Sequence, residues 1–143
     1  MSLDIERFVG QLQDSREFKV LLRSMLTMSE TERFDVVLKL LDYPDDVNRA
    51  LKLANHALRS REYFVSLLSL SLERANPHTM KYWLECIVPR LGLRRTIFYL
   101  RHLGDGEKQR VSWALYQLNW MVDSSNQQDV HALEDLSTFV NSG

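Results

Sequence analysis

Four arginines, a histidine, a phenylalanine and a tyrosine crowd into one short stretch, PRLGLRRTIFYLRHLGDG, from Pro89 to Gly106. On a helical wheel of about 100° per residue, Leu93, Ile97 and Leu100 fall on one side. Arg94, Arg95, Arg101 and His102 fall on the other, with Phe98 in the middle of their arc. An aromatic ring framed by guanidinium groups suits two kinds of recognition. It can stack a nucleic-acid base while the arginines hold phosphates. It can also anchor an acidic peptide or protein surface, because aromatics and arginines dominate interface energetics. The structural alternative is that the arginine stems simply shield a partly exposed Phe98. Arg61 and Arg110 extend the patch if their helices lie alongside.

Other chemistry is harder to assemble. His56, His78, His102 and His131 are scattered, and neither HExxH nor CxxC spacing occurs, so no metal site is expected. Cys86, the single cysteine, lies on a helical face with Tyr82 and Pro89. A thiol in apolar surroundings keeps its proton, so packing is its expected role. There is no GxSxG elbow. The stretch LGDGEKQR lacks the length of a phosphate loop. Asp45 and Asp46 follow Pro44 at a helix start, where carboxylates favour the dipole. The sequence therefore names no catalytic residue and no cofactor, and leans away from an enzyme. A second aromatic set, Trp113, Tyr116 and Trp120, recurs at i, i+3, i+7 beside an aliphatic stripe and is expected in the core, with an exposed aromatic anchor surface as the alternative.

The elements that must position these residues are helices. The 143 residues are 45% hydrophobic and 26% charged with a net charge of −1, which suits one globular domain spanning 1–143 and gives no global field for DNA or membrane. The charge is uneven. Residues 59–110 carry 10 basic and 5 acidic side chains, whereas 111–143 carry 4 acidic and none basic. That acidic segment (Asp123, Asp129, Glu134, Asp135) is the internal competitor for the arginines. No apolar run reaches a membrane span, and the start lacks the pattern of a signal peptide. A cytoplasmic location is the default expectation.

Apolar residues recur with helical period throughout, from Ile5, Phe8, Val9 and Leu12 to Val130, Leu133 and Val140. Ser29 with Glu32 and Ser125 with Gln128 read as capping boxes. Asn76 before Pro77 reads as a helix start, and Gly92 and Gly104 as helix stops. About nine short antiparallel helices are expected, either as stacked pairs or as an irregular bundle. Shifting residues 47–68 by 33 aligns Leu51 with Leu84, Leu58 with Leu91 and Phe64 with Ile97. The helix around Trp83 has apolar residues on two faces, as does the one around Trp113, which suits helices held between neighbours. On Pro44–Leu72, Pro77–Leu103 and Glu107–Val140, each a helix pair, the chain resembles the HEAT-like and armadillo-like helical-repeat class. That resemblance implies a curved right-handed superhelix that holds partners. The functional expectation is a non-catalytic scaffold module that binds a protein partner through Arg94, Arg95, Phe98, Arg101 and His102, with nucleic-acid binding as the alternative.

Overall fold

The computed structural model describes residues 3–142, and these form helices joined by turns, with no strand among them. Eight α-helices follow one another: α1 (Ser15–Leu26), α2 (Glu30–Leu40), α3 (Val47–Ala57), α4 (Arg61–Arg74), α5 (Met80–Leu91), α6 (Leu93–Leu103), α7 (Lys108–Leu118) and α8 (Gln127–Asn141). The ninth expected helix, over Ile5–Leu12, is replaced by a 3-10 turn at Ile5–Arg7 and further turns ending near Asp14. Gly10 sits there at φ 74°, a left-handed conformation that interrupts a helix. Phe8 and Leu12 are buried all the same, since i, i+4 spacing also serves a compact run of turns.

The chain divides into two compact units, Met1–Tyr63 and Phe64–Gly143. In the first, α1, α2 and α3 pack against one another. Ser29 accepts from the Glu32 N–H while Glu32 reaches back to the Ser29 N–H, which completes the capping box at α2. Three long-range polar clasps then tie the turns down. The Arg33 guanidinium donates to the carbonyls of Met25, Leu26, Met28 and Ala57 at 3.0–3.1 Å, collecting orphan acceptors at the ends of α1 and α3. The buried Asp46 carboxylate accepts the Gly10 N–H at 3.0 and 3.2 Å, so it anchors the N-terminal turns rather than serving only a helix dipole. Glu30 accepts from the Arg59 and Ser60 N–H groups and from the Ser60 hydroxyl at the entrance to α4. The Ser60 hydroxyl is the main reason its carboxyl lies below the ordinary value.

In the second unit, α5 packs against α6 and α7, and α8 packs against the same two helices. One consecutive pair, α5–α6, is thereby laid against the next, α7–α8, with α6 and α7 at opposite corners. Met80, Trp83, Leu84, Ile87, Ile97, Leu100, Val111, Ala114, Leu118, Leu133 and Leu136 fill the space between them. Each of the larger of these side chains contributes about 1.5–3 kcal/mol on burial. Gly92 ends α5 at φ 86° and begins α6 directly, so the chain turns within one residue. At Gly104 a Cβ would lie 2.3 Å from the Leu100 carbonyl oxygen and 2.4 Å from Val111 Cγ2, so only glycine lets the end of α6 close onto α7.

Two start signals land differently from expectation. Asn76 accepts from the His78 and Thr79 N–H groups, and Thr79 Oγ1 accepts from the Asn76 N–H. This box builds a turn ahead of α5, which itself begins at Met80. Asn126, not Ser125, caps α8 by accepting from the Asp129 N–H; Ser125 instead bonds Asp123. α5 runs through Pro89 to Leu91. Its second apolar face is buried only at Cys86, with Tyr82 and Pro89 exposed. No helix among the described residues is long and apolar enough to cross a membrane.

Candidate functional site

The candidate site is the outward side of α6. Thr96, Ile97 and Leu100 are its buried residues, and Thr96 closes the first turn by donating to the Gly92 carbonyl at 2.8 Å. With that side buried, the helical period turns Arg94, Arg95, Phe98, Arg101 and His102 outward together. All five are exposed, and Phe98 retains 54% of its surface.

The five residues are not equivalent. Arg94 is engaged internally: its Nε lies 3.4 Å from Asp129 and its terminal nitrogen donates to Gln128, both in the first turn of α8. Arg95 and Arg101 have no hydrogen-bond or ion-pair partner among the described residues. Arg101 borders a shallow depression with Asp135, Thr138, Phe139 and Ser142. The His102 ring stacks on Phe98 at 4.0 Å between centroids, and its Nδ1 lies 2.8 Å from the Phe98 carbonyl oxygen. Tyr99 meets the edge of the Phe98 ring at 5.5 Å. The surface is thus a fixed aromatic plate with one free guanidinium on each flank. Arg110 does not extend it: its Nε donates to the Ala75 carbonyl at 3.1 Å and its terminal nitrogen pairs with Glu107.

The second aromatic set departs from the sequence expectation. Val111, Ala114 and Leu118 already fill the buried side of α7, which puts Trp113 and Tyr116 on the opposite side, with Trp120 in the turn just past the helix end. Tyr116 is 62% exposed and Trp120 75%, while Trp113 is half-buried with the Arg110 guanidinium 6.0 Å from its ring. Tyr116 and Trp120 meet edge to face at 6.4 Å. Nearby, the Ser125 hydroxyl and N–H both donate to Asp123, holding its carboxyl below the ordinary range. The helical period places the Trp113 and Tyr116 rings on a second side of the helix, as the structure does, but that side is open to solvent instead of covered by a neighbour.

Elsewhere, Cys86 is buried and burial pushes its thiol up to about 12, so it stays protonated at neutral pH. No group of three or more His, Cys, Asp or Glu able to hold a metal ion occurs among the described residues. No protein-family model, characterised protein or solved structure matches the chain.

Proposed function

We propose that the chain is a non-catalytic helical-repeat interaction module and that the outward face of α6 docks an acidic protein surface. The carrying observation is the exposed Phe98 with Arg95 and Arg101 unpartnered on either flank. A large exposed ring beside two unpaired guanidinium groups supplies an apolar anchor and planar carboxylate forks in one place. Stacking His102 on Phe98 holds the ring in position before docking, which lowers the ordering cost of association. The laying of α5–α6 against α7–α8 supports the helical-repeat reading, in which a rigid array presents one helix face to a partner. The net charge of −1 and the Arg94–Asp129 pair weigh against nucleic acid as the occupant.

The test is titration with a labelled glutamate-rich peptide carrying one leucine or phenylalanine, against the wild-type chain and Arg95→Glu/Arg101→Glu. Affinity should fall on the order of 10- to 100-fold in the variant, with an unchanged melting temperature. Equal affinity would contradict the reading. So would steeply salt-dependent binding of an oligonucleotide in place of the peptide.

A further inference from the structure

The second unit also carries a surface complementary to the α6 face. A shallow groove between α7 and α8 is lined by Leu115, Val122, Val130 and Leu133, with the Glu134 carboxylate at its edge. The exposed Tyr116 lies on the adjoining side of α7, with the exposed Trp120 in the turn that follows the helix and Asp123 just beyond it. No basic side chain occurs anywhere in residues 111–143 apart from the imidazole of His131, whose Nδ1 lies 3.6 Å from Glu134. The carbonyl end of α7 adds negative potential. Aromatic faces, a helix C-terminus and two carboxylates all favour a cationic, aromatic-tipped occupant. Within one chain, neither Arg95 nor Arg101 of the α6 face pairs with Asp123 or Glu134.

We infer that the occupant is the α6 face of a second copy of this chain, with Phe98 in the α7–α8 groove and Arg95 and Arg101 against Asp123 and Glu134. This inference rests on α6 being a docking face, and it names the partner as the chain itself. The contact joins two different surfaces, so each docked copy leaves one of each face open. Association is therefore head-to-tail and continues into short chains or rings instead of stopping at a symmetric dimer.

Sedimentation of the full chain over a concentration series at low salt is the test. The weight-average mass should rise continuously above 16.8 kDa and fall back as salt approaches about 0.5 M. Arg95→Glu/Arg101→Glu and Asp123→Lys/Glu134→Lys should each be monomeric alone, because each pairs like charges. Mixed one to one they should associate again, since both faces then find an opposite charge. Tryptophan emission should shift to the blue only in the associating samples, and Trp120→Phe should remove most of that shift. A wild-type chain that stays monomeric throughout overturns the inference; if it still binds the glutamate-rich peptide, the docking role of α6 stands without it. A discrete dimer that survives Asp123→Lys/Glu134→Lys also overturns it, as does failure of the mixed variants to associate.

Discussion

Arg33 in the first unit and Arg95 and Arg101 in the second are the same residue type put to opposite uses. Arg33 reaches four backbone carbonyls in two separated segments, 25–28 and Ala57, and closes the ends of α1 and α3. Arg95 and Arg101 stand on a helix whose core contacts are complete without them. The second unit holds both kinds, since its Arg110 also donates to a backbone carbonyl, that of Ala75. In Met1–Tyr63 the buried or half-buried charges Arg33, Asp46 and Glu30 all bind backbone groups. In Phe64–Gly143, Phe98, Tyr116 and Trp120 are left to solvent, Phe98 beside the unpaired Arg95 and Arg101. The contrast separates charge that holds a fold from charge that is presented.

Arg33→Ala should break the contrast most strongly. It strands several carbonyls at once and should cost about 2–3 kcal/mol, read as a lower denaturation midpoint with an unchanged slope. Arg33→Lys keeps the charge but not the planar fork and should recover only part of that loss. Next comes Asp46→Ala, which frees the Gly10 N–H and unties the N-terminal turns, for about 1–2 kcal/mol in the same measurement. Replacing Phe8 or Leu12 alongside it should give less than the sum, because the same turns are already loosened.

The helices were legible because each keeps an aliphatic stripe at 3.6-residue period, and Gly92 and Gly104 mark stops that the backbone requires. The arc on α6 was legible for the same reason. The clasps were not: Gly10 and Asp46 are 36 residues apart, and the acceptors of Arg33 are defined only once α1 and α3 have ended side by side. The exposure of the Trp113 stripe was not legible because periodicity cannot say which of two apolar sides is covered. Val111, Ala114 and Leu118 supply the side that is, and large rings with polar edges tolerate the water that reaches the other. The expected helix over Ile5–Leu12 failed at Gly10, whose positive φ the apolar spacing conceals.

Smaller effects sharpen the comparison. Because the folded-state pKa of Glu30 lies below its ordinary 4.5, its contribution is complete above that pH and is lost as the pH falls through the folded value. Glu30→Gln should therefore lose less stability than wild type on acidification below pH 4.5, followed by thermal melts in a pH series. Smallest of all, Arg95→Glu/Arg101→Glu should change stability by no more than about 0.5 kcal/mol in denaturant. A loss comparable to that of Arg33→Ala would erase the distinction between the two sets of arginines.

Residue-resolved NMR during titration with the glutamate-rich peptide tests the central claim most directly. Shifts concentrated at Arg95, Phe98, Arg101 and His102, with the Arg33 signals unmoved, are the expected result. Shifts spread over the first unit, or none on α6 while the peptide binds elsewhere, would contradict it.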